Sequence, residues 1–196
     1  MVNIWPIFDQ LVGNRCPLCH RPGTGLCPPC HANLPHNDLA CRRCALPLPP
    51  GTPVGTLCAG CQRRPPAFDR VHAPLCYAAP VDDLIAAFKY HGRLADGRLL
   101  AELLADAIRR ANRPPPELLL PVPMHPSALR ERGFNQAAEL ARLVAARVDV
   151  AWSAAHLRRV RHGSRQRGLG RADRLRNLNG AFATRGRLPR QVALID

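Results

Sequence analysis

The chain has 196 residues, 46% of them hydrophobic, and a formal charge of +14, which leaves room for one ordinary domain and a small appendage. No stretch approaches the roughly 18 consecutive apolar residues of a membrane span. The start, MVNIWPIFDQLVGN, lacks a basic leader and breaks its apolar run at Pro6 and Asp9, so neither membrane insertion nor secretion is expected.

A cytoplasmic location follows, and there paired cysteines hold metal more often than they form disulfides. Along the chain, Val2 to Val12 places Ile4, Ile7, Phe8 and Leu11 at helical spacing, an apolar face suited to packing on the next segment. Arg15 to Cys61 then shows proline, glycine and paired cysteines in place of any sustained periodicity. Metal must replace a hydrophobic core there.

Eight of the nine cysteines form four C-x-x-C pairs: Cys16/Cys19, Cys27/Cys30, Cys41/Cys44 and Cys58/Cys61. Each C-x-x-C turn presents two sulfurs to one ion, and two turns complete a closed tetrahedral thiolate site, so two structural Zn²⁺ are expected. Sequential pairing assigns Cys16, Cys19, Cys27 and Cys30 to one ion and Cys41, Cys44, Cys58 and Cys61 to the other. An interleaved arrangement, the first pair joined to the third, stays open at this level. Cys16-Pro-Leu-Cys19-His20 and Cys27-Pro-Pro-Cys30-His31 also match covalent haem attachment. That chemistry needs export, and the other pairs are followed by Ala45 and Gln62 instead of histidine. With eight thiolates and two divalent ions the charge of +14 becomes +10.

Arg63 to Pro66 reads as a linker, giving an N-terminal unit of residues 1–64 and a second of 65–196. After it, Phe68 to Ala78 suits a strand or hairpin arm, and Val81 to Tyr90 a helix opened by Asp82 and Asp83. Leu99, Leu100, Leu103, Leu104, Ala107 and Ile108 form an apolar helical face that ends before Pro114. Glu117 to Pro123 (ELLLPVP) is a buried strand. Asn135 to Arg147 is a helix with Ala138, Leu140, Ala141 and Val144 inward, and Gln191 to Asp196 (QVALID) is a second buried-type strand. Strand, helix, strand in that order predicts an α/β fold with a parallel sheet and flanking helices.

From His156 to Arg190 there are eleven arginines against one acid, Asp173, a stretch suited to phosphates or nucleic acid. Of the 28 basic residues 27 are arginine and only Lys89 is lysine, a skew that reads as coding bias. Trp152, Phe134, Phe182 and Tyr90 are the aromatics of the later half, too few for an extended base-stacking platform. His91, His125 and His162 are weak candidates for a general base, since such residues usually sit on surfaces or turns.

Two later segments carry a resemblance. Arg132-Gly133-Phe134-Asn135-Gln136 follows the strand containing Pro121-Val122-Pro123, and Gln166-x-x-Leu169 leads to Arg174-x-x-Asn177 and then Ala181-Phe182. With the cysteine-rich start, this resembles the competence protein F (ComF) family, in which a double zinc ribbon precedes a type I phosphoribosyltransferase fold. The resemblance implies a site for phosphoribosyl pyrophosphate or a nucleotide with Mg²⁺, and displacement at the anomeric carbon with pyrophosphate leaving. Because that transition state is cation-like, the protein's task is positioning and charge stabilisation.

It further implies that Met124 and His125 occupy the pyrophosphate loop, joined by Arg132, Gly133, Asn135 and Gln136. Arg161 to Asn177 would be a lid, with Gln166, Arg165, Arg167, Arg171, Arg174 and Asn177 closing over pyrophosphate. Asp196 matches the first acid of a catalytic pair that precedes a Thr-Thr-Gly phosphate loop. Neither the second acid nor that loop is present, so the chain is expected to be a fragment, inactive as it stands. The family name implies a link to DNA uptake in competence, with single-stranded DNA and DNA-uptake proteins as partners. A nucleic-acid module without transferase activity, and an inactive scaffold, are the competing classes.

Overall fold

A computed structural model describes residues 15–111, 113–161, 173 and 178–196. The expected helix at Val2 to Val12 lies outside the described residues. Two compact units divide the chain, Met1–Ala87 and Phe88–Asp196.

The first unit repeats one design twice. The Cys16 amide donates to the Arg21 carbonyl at 2.8 Å and the His20 amide to the Cys16 carbonyl at 2.9 Å. The Cys41 amide likewise bonds Leu46 at 2.8 Å, and the Ala45 amide bonds Cys41 at 2.9 Å. Each knuckle is closed by an antiparallel bridge, Arg15 to Pro22 and Ala40 to Pro47. Each also turns through a non-glycine residue of left-handed conformation, His20 (φ 59°) and Ala45 (φ 56°).

The second half of each repeat is a cysteine pair at a helix start. Helix α1 (Pro28–Ala32) follows Cys27, and α2 (Ala59–Arg63) follows Cys58. Pro28, at the first helical position of α1, donates no amide and has the required φ, so it suits that place.

Residues 71–76 run back along this unit. They form a single bridge between His36 and Leu75 where the sequence predicts a strand over 68–78. Pro74 has no amide to give a ladder. Backbone bonds Val71 to Arg43, Asn37 to Pro74 and Cys76 to Pro35, at 2.7 to 2.9 Å, fasten the segment instead. Helix α3 (Val81–His91) opens with Asp82 and Asp83 in its first turn, where their charge favours the helix dipole.

The second unit contains α4 (Leu94–Arg110), β1 (Leu118–Pro121), α5 (Pro126–Arg132), α6 (Gln136–Val148), β2 (Ala151–Trp152), β3 (Leu157–Arg159), β4 (Phe182–Thr184) and β5 (Val192–Ile195). A parallel sheet has the order β2-β1-β5, with Leu118 beside Val192 and Pro121 beside Ile195. All four β1 residues are buried, as an unbroken apolar run in a central parallel strand should be.

Helices α4 and α6 pack on each other. Their buried alanines, Ala101, Ala105, Ala141 and Ala145, keep side-chain bulk small between them. Leu119, Leu143, Val144 and Ile195 complete the core, with Leu104, Ile108 and Ala193 at its margin.

Near the start of α4, Gly97 leaves room for the Phe88 ring. A methyl group placed on Gly97 would lie 2.4 Å from Phe88 Cε2, closer than atoms can approach.

Strand β5 departs from the expected buried type. Ala193 and Ile195 face the core, whereas Val192 and Leu194 are 38% and 61% exposed. Among the described residues β5 pairs only with β1, and an all-apolar run cannot report which of its faces is covered. A separate two-stranded antiparallel sheet pairs β3 with β4, with Arg159 opposite Phe182 and its guanidinium 5.8 Å from the ring.

Candidate metal centres and sheet-edge site

The two repeats bring the cysteines together in sequence order. The sulfurs of Cys16, Cys19, Cys27 and Cys30 lie within 4.8 Å of one another, and so do those of Cys41, Cys44, Cys58 and Cys61. Tetrahedral zinc with Zn–S near 2.3 Å puts its sulfurs about 3.8 Å apart. Cys19 and Cys27 are at 3.5 Å and Cys44 and Cys58 at 3.7 Å, so both quartets fit zinc ribbons. In the first centre Cys16 is buried and Cys19 exposed; in the second Cys41 and Cys61 are both buried.

Backbone amides prepare these sulfurs for a cation. Burial raises the Cys16 thiol, but the amides of Cys27, Cys19 and Leu18 outweigh it and bring the pKa down to about 6. At Cys41 burial is likewise outweighed, by the amides of Cys44, Cys58 and Arg43, again giving about 6. The fourth thiol of each set moves the other way. Cys30 is pushed up to about 12, first by its bonds to Cys27 and Cys19, and Cys61 to about 12, first by burial and then by Cys44 and Cys58. Four close thiols therefore shed their protons together only around a cation, and with every position filled by sulfur the ion has no open site for water.

The second group of candidate residues gathers at the carboxyl end of the parallel sheet, the edge where open α/β sheets receive ligands. The Val122 amide donates to Ile195 at 2.8 Å, so the exposed Asp196 leaves the sheet at the same end from which β1 runs on to Met124 and His125. Asn135 caps α6, accepting the Ala137 amide at 3.0 Å, and its Nδ2 donates to the Val122 carbonyl at 3.2 Å. His125 caps α5, with Nδ1 accepting the Ser127 amide at 3.3 Å. Gly133 ends α5 in the left-handed region, φ 84°, which glycine adopts without penalty.

Gln136 is 5% exposed, not a surface residue. Its Oε1 accepts from Arg132 at 2.9 Å and its Nε2 donates to the Lys89 carbonyl at 3.2 Å. The Arg132 guanidinium lies 5.3 Å from the centre of the Tyr90 ring. Residues 88–90 match none of the motifs read from the sequence. The one signal that marked them is the lone lysine among 27 arginines. Gln166, Arg174 and Asn177, with His162, Arg165, Arg167 and Arg171, lie outside the described residues.

Fold and centres together define an α/β protein with a parallel sheet and two N-terminal tetra-cysteine sites of zinc-ribbon type. Among known proteins the chain is 31% identical over 194 residues to competence protein F of Haemophilus influenzae, covering 93% of this chain and 83% of that protein. It is 31% identical over 180 residues to DNA utilization protein YhgH of Salmonella typhi, covering 87% and 78%. For the protein of the same name in Escherichia coli K12 the identity is 28% over 196 residues, covering 94% and 84%. The chain belongs to the competence protein F family. No family model and no solved structure matches it.

Proposed function

We propose that the protein works in the handling of DNA taken up during competence, as a zinc-clasped phosphoribosyltransferase-like protein whose sheet edge binds phosphoribosyl pyrophosphate or a nucleotide. The relatives' names, competence protein F and DNA utilization protein, support the biological setting. The observation that supports the chemistry is that Val122, just before the Met124–His125 loop, bonds both Ile195, just before Asp196, and Asn135 of the Arg132–Gln136 segment at one carboxyl edge. Asp196 would hold the ribose hydroxyls, and Arg132 with the amides of the Met124 turn would take pyrophosphate oxygens. Mg²⁺ would neutralise the pyrophosphate. With Asp196 the carboxylate that β5 brings to this edge, the ion would arrive on the ligand's own oxygens.

Calorimetry with phosphoribosyl pyrophosphate and Mg²⁺ tests this. Binding weakened by Asp196→Asn is expected; binding that Asp196→Asn leaves unchanged would overturn the reading.

A second reading is a nucleic-acid module without transferase activity. It is favoured by the β3–β4 pair, where Arg158 and Arg159 stand opposite the strand that leads to Arg185 and Arg187. Its mark would be affinity for an oligonucleotide that falls linearly in log–log form with salt. Arg158→Ala with Arg187→Ala would then lower that slope.

A further inference from the structure

Three consecutive residues of α3 each meet a different residue of the 132–136 segment. The Phe88 ring lies 5.8 Å from that of Phe134. The Lys89 carbonyl accepts from Gln136, and the Tyr90 ring carries the Arg132 guanidinium. One buried amide, that of Gln136, thus ties the backbone of Lys89 to the side chain of Arg132. The backbone of one cationic residue and the guanidinium of another are joined through a single side chain. Among the described residues no carboxylate pairs with either.

Elsewhere this chain meets its need for positive charge with arginine, 27 times in 28. Lys89 is the exception, and it is half-buried. An ammonium is a compact point charge with three rotatable donors, whereas a guanidinium is a broad planar fork. The first suits phosphate oxygens approached from a confined position. A partly buried lysine with no carboxylate pair among the described residues, its backbone tied to Arg132 through Gln136, is matched to a ligand of concentrated negative charge.

We propose that Lys89 is a diphosphate-binding residue, which with Arg132 takes the pyrophosphate group of the ligand. This rests on the phosphoribosyl reading and adds to it a residue that none of the motifs read from the sequence contains.

The single lysine makes the test site-specific. Acetylation of the chain by limiting N-hydroxysuccinimide acetate is followed by peptide mass, which separates Lys89 from the α-amine, with and without inorganic pyrophosphate and Mg²⁺. Saturating pyrophosphate is expected to slow Lys89 acetylation about tenfold or more while leaving the α-amine unchanged. Calorimetry in parallel should show Lys89→Met losing about tenfold in pyrophosphate affinity, with Lys89→Arg failing to restore it.

If pyrophosphate binds yet Lys89 reacts at its free rate, or Lys89→Met binds as wild type, the inference is wrong and the phosphoribosyl reading stands. Full rescue by Lys89→Arg would overturn the need for an ammonium. Absence of pyrophosphate binding would overturn both. Protection by a single-stranded oligonucleotide but not by pyrophosphate would replace the diphosphate with nucleic acid.

Discussion

The backbone amide of Cys58 donates to the sulfur of Cys41 at 3.3 Å across 17 residues of chain, so the second knuckle of the second centre is held against the first before any ion is considered. In the first centre the Cys27 amide plays the same part toward Cys16, but Cys19 there is exposed. The centres differ in access, not in design. Zinc release to a chromogenic chelator should therefore show two phases of one equivalent each, the faster from the centre that contains Cys19. Cys19→Ser should remove the fast phase and Cys76→Ser neither. A single phase of two equivalents would contradict the difference in access.

Removal of zinc should unfold the ribbons selectively, because a closed thiolate site supplies the folding energy of a segment with so little apolar core. Hydrogen exchange after chelation should show protection lost over residues 15–61 and kept in β1 and α6. An unchanged first segment would mean that the cysteines are not holding it together.

Phe88 and Gly97 form a coupled pair. Gly97→Ala gains up to ~1 kcal/mol of helix propensity, but its methyl would meet a ring that is 1% exposed. Overpacking of that kind costs roughly 1–3 kcal/mol, so a net loss in denaturant unfolding is expected. In Phe88→Leu the same change should cost less, a coupling measurable by a double-mutant cycle. Additive losses would show that the ring does not depend on the glycine.

How far the sequence was legible follows from what each signal measures. The run ELLLPVP located β1 to within two residues at each end, and the 3.6-residue spacing located α6, with Asn135 as its cap rather than its first turn. Cysteine spacing located both metal centres, while the choice between sequential and interleaved grouping needed three dimensions. Periodicity reports a face but not its partner. It could not show that Val192 and Leu194 of β5 are exposed, or that residues 88–90 pack against 132–136. Gln136 was legible as a motif residue, but its burial depends on Lys89, 47 positions away.

Asp96 makes stability depend on pH. It is 1% exposed, and burial raises its pKa above the ordinary carboxylate value although Arg93, 3.0 Å from Oδ2, acts to lower it. The folded state then holds the proton more tightly than the unfolded one. By linkage, the contribution of this group falls as pH rises from about 4 through the raised folded value. The stability of wild type relative to Asp96→Asn should be more favourable at pH 4 than at pH 7 in urea unfolding. A difference of opposite sign would mean that the pair with Arg93 outweighs burial.

Asn135 separates structure from ligand binding at the sheet edge. Its Oδ1 caps α6 and its Nδ2 holds the Val122 carbonyl. Asn135→Ala removes both contacts; the cap alone is worth ~1 kcal/mol. Asn135→Asp keeps the cap acceptor and adds a charge that the helix N-terminus favours by roughly 0.3–1 kcal/mol, but it puts an oxygen in place of the Nδ2 donor and so loses the bond to the Val122 carbonyl. The aspartate variant should therefore unfold at a denaturant concentration above that of the alanine variant and below that of wild type. If this edge holds pyrophosphate, the added negative charge should weaken binding in the aspartate variant despite its retained helix cap. Equal pyrophosphate affinity in Asn135→Asp and wild type would move the ligand away from Asn135, leaving it a purely structural cap.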